Sequence, residues 1–94
     1  MPLFVYRGTD GPGGAERRKT ARPRHIAHLE ALAEAGRIRF AGPLYDEQGN
    51  PCGSLVIFED EDLASATATA ESDPYLAEGV FETIEVKATK AVLP

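Results

Sequence analysis

The sequence predicts an α+β fold of the ferredoxin-like βαββαβ type, built on an antiparallel sheet. Three observations lead to this prediction. Four short segments rich in β-branched, aromatic and aliphatic residues alternate with two helix-forming segments in that order. Clusters of glycine, proline, aspartate and asparagine separate these segments. A chain of 94 residues has room for one hydrophobic core, so residues 1–94 are predicted to form a single domain.

The first half of the chain predicts a strand followed by a long helical region. Residues 3–7 are aliphatic and aromatic up to an arginine, and the turn-forming residues 9–14 follow them. Residues 15–21 favour a helix. Because Pro23 disfavours helical geometry at the residue before it, we expect the helix to kink or restart there. The second helical segment runs from Pro23 to residue 35, before a glycine that suits a helix C-cap.

Three strands and one helix account for the rest of the chain. The predicted strands are residues 37–41, 54–59 and 80–88, and the predicted helix is residues 63–72. Asp62 is the expected N-cap of that helix, because its carboxylate can accept a hydrogen bond from an unpaired amide of the first turn. The triplet Asp73-Pro74-Tyr75 is expected to break the helix, and residues 89–94 form a tail.

The two strands predicted for the middle of the sheet are apolar on both faces. In the first, Leu3 and Val5 alternate with Phe4 and Tyr6, and residues 55–58 of the third strand are apolar throughout. Two helices on one side of the sheet leave its other face open. Because a large apolar face is not left to water, we predict a homodimer formed through the open sheet face.

Charge and composition exclude several classes of partner. The net charge is −5, with +4 in residues 1–45 and −9 in residues 46–94. An acidic chain lacks the basic footprint of a nucleic-acid-binding protein. No apolar stretch is long enough to cross a membrane, no signal peptide is visible at the N-terminus, and the single Cys52 suits a reducing cytoplasm. The five basic residues within 17–24 have three interpretations: a solvated helix face, a positive potential that attracts a small anion, or attraction between two subunits.

Two histidines are the first candidates for chemistry, because histidine titrates near neutral pH. His25 and His28 lie three residues apart on the predicted helix. Each could equally be a surface or capping residue. As a metal-binding pair they lack a third ligand nearby in the sequence. Cys52 has no second cysteine or histidine at a useful spacing, and no glycine-rich phosphate-binding motif is present. We therefore predict no metal ion and no cofactor.

Several motifs resemble the YCII-related (YciI-like) family. They are Arg22-Pro23-Arg24-His25-Ile26, Ala35-Gly36-Arg37, Ala41-Gly42-Pro43, Gly53-Ser54, Ser72-Asp73-Pro74-Tyr75, Gly79-Val80-Phe81-Glu82 and Val86-Lys87-Ala88. The resemblance covers essentially the whole chain and implies a dimeric α/β-barrel fold. It also implies an active-site pair of His25 and Asp73. The residues that it implies for substrate binding are Arg22, Gly42, Pro43, Ser54 and Tyr75, whereas His28 falls outside the pattern.

Elementary chemistry supports the His–Asp pair. A carboxylate beside an imidazole fixes the imidazole tautomer and stabilises its protonated form, and a histidine held in this way can act as general acid or base, worth about 10²–10⁴-fold in rate. Asp73 before a proline could instead be only a turn or cap residue. With the pair in place, Arg22 and Arg24 are expected near the pocket, where they favour an anionic or phenolate-like substrate, and Ser54 can donate a hydrogen bond to it.

Two functions remain open from the sequence. The first is a small cytoplasmic enzyme, a lyase, isomerase or hydrolase, that uses His25 as acid or base on a small organic anion. The second is a non-catalytic dimeric module that binds a metabolite or a partner in the same cleft.

Overall fold

A computed structural model describes residues 1–94 and has seven elements. In chain order they are β1 (Leu3–Asp10), α1 (Gly14–Glu34), β2 (Ile38–Tyr45), β3 (Pro51–Glu59), α2 (Leu63–Glu71), α3 (Pro74–Ala77) and β4 (Phe81–Thr89). The predicted α+β, ferredoxin-like class is confirmed. The short helix α3 is an addition, since the sequence predicted only a break at this point.

The sheet has the order β2-β3-β1-β4, and every neighbouring pair is antiparallel. The first and third strands therefore lie in the middle, as the sequence predicted. Tyr6 on β1 lies opposite Val56 on β3 and Val86 on β4, so these three side chains share one face. Phe4 and Phe58 lie opposite each other two residues along the strands from Tyr6 and Val56, so their side chains share the same face.

The helices cover this face and form the core with it. One cluster joins Phe4, Tyr6, Val56 and Phe58 of the sheet to two alanines of α2. A second cluster, next to α3, contains Ala21, Tyr75, Val80 and Phe81. The absence of a side chain at Gly8 makes room for the Phe81 ring, which would collide with any Cβ there. The opposite face of the sheet has no helix over it, and four apolar side chains of its two central strands stay half-buried: Leu3, Val5, Leu55 and Ile57.

The expected restart of the helix at Pro23 is wrong, because α1 is one helix from Gly14 to Glu34. Pro23 lies inside it on the exposed side. A proline costs a helix one hydrogen bond and crowds the preceding turn. Here Ala21 and His25, on either side of Pro23, are both buried against the rest of the protein, and this packing holds the two halves in one helix.

The predicted boundaries of the strands also need correction. The second strand continues through Gly42 and Pro43 to Tyr45, and β3 begins at Pro51. Proline is tolerated at Pro43 because β2 is an edge strand, where a missing amide hydrogen removes no ladder bond on the open side. This extension brings Pro43 opposite Ser54. The predicted N-cap is confirmed, since the Asp62 carboxylate accepts a hydrogen bond from the Ser65 amide. Only α1 has the length to cross a bilayer, and it is too polar to do so.

Candidate active site

The His25 and Asp73 side chains, 48 residues apart in sequence, are in direct contact. His25 Nδ1 lies 2.8 Å from Asp73 Oδ1 and 3.0 Å from Oδ2. His25 projects from the middle of α1 towards the sheet, and Asp73 occupies the residue before α3. Asp73 is completely buried, and His25 is 7% exposed. The two residues that the family resemblance singled out are therefore brought together by the fold.

Asp73 receives two further hydrogen bonds. The Tyr75 amide donates to Oδ1 at 3.0 Å, which makes Asp73 the N-cap of α3, and the Tyr6 hydroxyl donates to Oδ2 at 2.8 Å. Burial by itself raises the pKa of the Asp73 carboxyl. The hydrogen bonds from His25, Tyr75 and Tyr6, together with the charge of His25, outweigh burial and hold this pKa below its ordinary value. The carboxylate is thus ionised at neutral pH.

An ionised Asp73 determines the tautomer of His25. A carboxylate accepts hydrogen bonds and donates none, so Nδ1 must carry the proton that points at Asp73. In the neutral ring the lone pair then lies on Nε2, which has no hydrogen-bond partner within the chain. The Tyr6 phenol stays a donor as well, because burial and the charge of Asp73 raise its pKa. The arrangement leaves Nε2 available to accept or return a proton.

The Tyr75 ring stacks on one face of the His25 imidazole. The two rings are parallel within 4°, and their centroids are 3.8 Å apart. The Phe81 ring packs edge-on against the Tyr75 ring, with the two ring centroids 5.5 Å apart. The guanidinium of Arg18 lies 5.0 Å from the centroid of the Tyr75 ring. Burial raises the pKa of the Tyr75 hydroxyl, against the opposing charges of Arg18 and Arg22. Stacking and hydrogen bonding together leave the imidazole little freedom to rotate.

Arg18 is fixed by a salt bridge to Asp10 of β1. Arg18 Nε lies 2.6 Å from Asp10 Oδ2, and Nη2 lies 2.9 Å from Oδ1, so the contact is bidentate. Nη2 also donates to the Gly53 carbonyl at 2.9 Å and reaches Ser54 Oγ at 3.4 Å. Arg18 thereby joins α1 to two central strands beside the His25 site.

A cavity of about 180 Å³ lies in front of this pair. Its lining consists of Arg22, His25, Ile26, Leu29, Ala41, Gly42, Pro43, Ser54, Val56 and Tyr75. All five residues predicted for substrate binding are in this set. Asp73 is not in it, because Asp73 lies behind His25 and acts on the cavity only through the imidazole. We call this space the inner cavity.

One sequence-based placement is wrong. Arg24 was expected near the pocket beside Arg22, but its guanidinium forms a salt bridge with Glu78 outside the inner cavity. The difference of two residues places Arg24 on another side of the helix, since successive residues are about 100° apart. Hydrogen bonding and charge in this pair raise the pKa of Arg24 and lower that of Glu78.

Sequence reasoning missed three residues that shape the site: Tyr6, Asp10 and Arg18. For Tyr6 a signal was present, because a tyrosine on a strand face that is otherwise purely apolar needs a partner for its hydroxyl. For Asp10 and Arg18 no local pattern indicated the salt bridge.

His28 and Cys52 have no assigned role. His28 Nε2 is buried without a hydrogen-bond partner, and burial lowers the pKa of this imidazole, although the charge of Asp73 opposes that shift. Cys52 is a free, half-buried cysteine on β3. No group of three or more His, Cys, Asp or Glu side chains is arranged to hold a metal ion.

Comparison with known proteins finds relatives that span nearly the whole chain. A family model described as the YCII-related domain matches residues 2–90. The protein named YciI from Escherichia coli O6:H1 is 40% identical over 96 residues, which cover 96% of this chain and 98% of that protein. An uncharacterised protein from Haemophilus influenzae is 35% identical over 95 residues, and the match covers 95% of this chain and 97% of that protein.

Solved structures extend the comparison to enzymes. 5-Chloro-2-hydroxyhydroquinone dehydrochlorinase (TftG) from Burkholderia phenoliruptrix, in complex with 2,5-dihydroxybenzoquinone, superimposes with a TM-score of 0.81 at 28% identity. The match covers 94% of this chain and 93% of that one. SnoaB, a cofactor-independent oxygenase from Streptomyces nogalater, shares the fold with a TM-score of 0.54 at 15% identity, over 98% of this chain and 93% of that one.

The depressed pKa of Asp73 makes a prediction about stability. A carboxyl whose pKa is lower in the folded state than in the unfolded state stabilises the folded protein. This contribution is fully present at a pH above the pKa in the unfolded chain, about 4, and it is lost as the pH falls through the lower pKa of the folded protein. We expect Asp73→Asn to lower the free energy of unfolding at pH 7 and the difference from the wild type to shrink as pH falls below about 4. Urea denaturation followed by circular dichroism at a series of pH values measures this difference.

Asp62→Asn is the matched control, because Asp62 also caps a helix but lies at the surface without an imidazole partner. A difference between wild type and Asp73→Asn that does not change with pH would contradict the assignment of an ionised Asp73.

Proposed function

The chain belongs to the YCII-related family, and from this membership we propose that it is a small enzyme in which His25, oriented by Asp73, moves protons on a small, ring-containing organic anion. The observation that carries the proposal is the contact of His25 Nδ1 with a buried carboxylate while the same imidazole lines a cavity. This arrangement matches a base whose second nitrogen is free for substrate.

The proposed chemistry uses each side chain in one role. His25 Nε2 accepts a proton from a substrate hydroxyl or ring carbon, which produces an imidazolium that the Asp73 carboxylate stabilises. The same nitrogen can then return the proton to another atom of the substrate or release it to solvent. Asp73 positions the imidazole and does not touch the substrate. Tyr6 supports Asp73 in turn, because its phenol donates to the oxygen Oδ2 that is the further from His25 Nδ1.

The similarity to TftG suggests the class of reaction. Dehydrochlorination removes one proton and one chloride from the substrate, so it is redox-neutral and needs a base but no oxidant. For a chlorinated hydroxyhydroquinone ring, loss of HCl leaves a hydroxyquinone. The inner cavity, at about 180 Å³, suits a single planar ring, and Arg22 at its wall favours a substrate with a negative charge. We therefore favour elimination or isomerisation on a hydroxylated ring over hydrolysis.

We also propose that the working unit is a homodimer formed through the open sheet face. Four apolar side chains in the middle of that face, Leu3, Val5, Leu55 and Ile57, are only half-buried in one chain. Arg7 and Glu85 lie opposite each other on the same face and can form its polar rim. A second copy packed sheet to sheet would complete the burial of the apolar strip.

Activity of His25 variants tests the proposed chemistry. With 5-chloro-2-hydroxyhydroquinone as probe, in the absence of air, we expect chloride release that falls about 10²–10⁴-fold in His25→Gln and by a similar order in Asp73→Asn. His28→Gln, on the same helix, is the control and should stay within a few-fold of wild type. Chloride release is measured by ion chromatography and the quinone by absorbance.

Equal chloride release by wild type and His25→Gln would overturn the proposed role of His25. If 2,5-dihydroxybenzoquinone binds but no substrate in a panel of halogenated hydroxyquinols is turned over, the non-catalytic binding module is the better description.

Sedimentation velocity tests the dimer. We expect the wild type to sediment as a dimer at micromolar concentration and Ile57→Glu, which places a charge in the centre of the apolar strip, to sediment as a monomer. Ala68→Glu, on the exposed side of α2, should remain a dimer. A wild-type protein that stays monomeric under these conditions would refute the interface.

A further inference from the structure

A second, larger cavity adjoins the inner cavity, and Arg22 lines both. This outer cavity measures about 570 Å³ and lies between the first half of α1 and the β2–β3 connection. Its lining consists of Ala15, Arg18, Lys19 and Arg22 on the helix, Asp46 and Asn50 on the connection, and Pro51 at the start of β3. Lys19, Arg22, Ile26 and Leu29 are spaced by three or four residues, so one face of α1 runs from the outer cavity into the inner one.

The outer cavity carries one cation without a partner. Arg18 is occupied by Asp10 and the Gly53 carbonyl. Asp46, the one acidic residue in the lining, already accepts hydrogen bonds from the Gln48 and Asn50 amides. The Arg22 guanidinium makes no hydrogen bond or salt bridge within the chain. The other α1 arginines all do, because Arg17 donates to backbone carbonyls and Arg24 pairs with Glu78.

Lys19 adds a second, weaker positive charge to the outer cavity. Its ammonium lies 3.3 Å from Glu16, and both side chains are at least three-quarters exposed. An ion pair this open to solvent is weak, so the lysine can turn towards a ligand at little cost. Arg22 and Lys19 lie three residues apart on the face of α1 that lines the outer cavity.

The sizes of the two cavities point to a substrate that occupies both. Sites for small molecules typically measure about 300–1,000 Å³. At about 180 Å³ the inner cavity holds a ring and little more, whereas the outer cavity adds about 570 Å³ on the far side of Arg22. Because Arg22 lines both cavities, a ring that lies against His25 can extend a substituent past Arg22 into the outer cavity.

We infer that the outer cavity is a subsite for a carboxylate carried by the substrate, that Arg22 binds this carboxylate, and that Lys19 assists; the inference rests on the proposed function for the position of the ring. A guanidinium presents two parallel N–H groups that match the two oxygens of a carboxylate. One free guanidinium and one loosely paired lysine suit a single negative charge. The Asp46 carboxylate in the same lining would repel a doubly charged phosphate more strongly than a singly charged carboxylate. The preferred substrate is thus a hydroxylated ring with a carboxylate-bearing side chain.

Matched pairs of ligands test this subsite without any turnover. The probes are 4-hydroxybenzoate, 4-hydroxyphenylacetate and 3-(4-hydroxyphenyl)propionate, each compared with its primary amide, which has the same shape and no charge. Dissociation constants are measured by NMR titration for wild type, Arg22→Gln and Arg24→Gln. Arg24→Gln removes the same charge from the other side of the same helical turn, at a residue outside both cavities, so it controls for a general loss of positive potential.

We expect at least one acid to bind wild type about tenfold more tightly than its amide, and this preference to disappear in Arg22→Gln and persist in Arg24→Gln. Lys19→Gln should reduce the preference by a smaller factor. Equal binding of acids and amides by wild type, or an equal loss in the two arginine variants, would overturn the subsite. Inorganic phosphate that displaces the acids more strongly than acetate does would overturn the carboxylate assignment.

The ligand pairs separate this inference from the proposed function. An acid preference that depends on Arg22 supports the subsite even if the chain turns over none of the substrates tested. Turnover that depends on His25, with no acid preference, supports the proposed function and refutes the subsite.

Discussion

The buried carboxylate of Asp73 is the constraint on which the candidate site depends. An ionised carboxylate without partners is costly inside a protein, and here three donors from three different elements compensate for its burial: the Tyr6 hydroxyl on β1, His25 Nδ1 on α1 and the Tyr75 amide on α3. These bonds connect residues up to 67 positions apart in the sequence. The same interactions that stabilise the charge also fix the orientation of the imidazole, so the stability of the fold and the geometry of the candidate site are coupled at one residue.

The surroundings of His25 extend this constraint outwards. Tyr75, whose amide bonds Asp73, stacks its ring on the imidazole, and Arg18 lies over that ring while bound to Asp10. Most polar groups around the imidazole are thus already paired. Three unpaired groups belong to residues that line the inner cavity, namely His25 Nε2, the Arg22 guanidinium and the Tyr75 hydroxyl, whereas the unpartnered His28 Nε2 belongs to a residue outside that lining. Groups left free beside a cavity are the ones available to a ligand, and the proposed chemistry and the proposed subsite use two of them, on His25 and Arg22.

Much of the fold was predictable because it depends on local patterns. Alternating apolar residues identified the strands, Asp62 identified the start of α2, and the two strands with apolar residues on both faces were correctly placed in the centre. Pro23 and Pro43 misled the prediction because tertiary packing and the position at a sheet edge overcome the local preference of proline. The short helix α3 was missed because a four-residue helix has too few residues to show a helical period.

The site was predictable only in part. The motifs of the family pointed to His25 and Asp73, whose contact spans 48 residues and leaves no trace in local periodicity. Tyr6 and Arg18 find their partners only when β1, α1 and β3 pack together, so no single segment predicts them. Arg22 and Arg24 look equivalent in sequence, yet the helix turns one into the cavity and leaves the other beside Glu78.

Asp73 holds His25 with its proton on Nδ1 and its lone pair on Nε2, and ¹⁵N NMR of the histidine side chains measures this tautomer directly. At a pH where the imidazoles are neutral, we expect a pyrrole-type shift for His25 Nδ1 and a pyridine-type shift for its Nε2. The same chain unfolded in urea provides the reference, since a free histidine favours the proton on Nε2. A folded protein in which His25 carries its proton on Nε2, as in the unfolded chain, would show that Asp73 does not hold the imidazole in this tautomer.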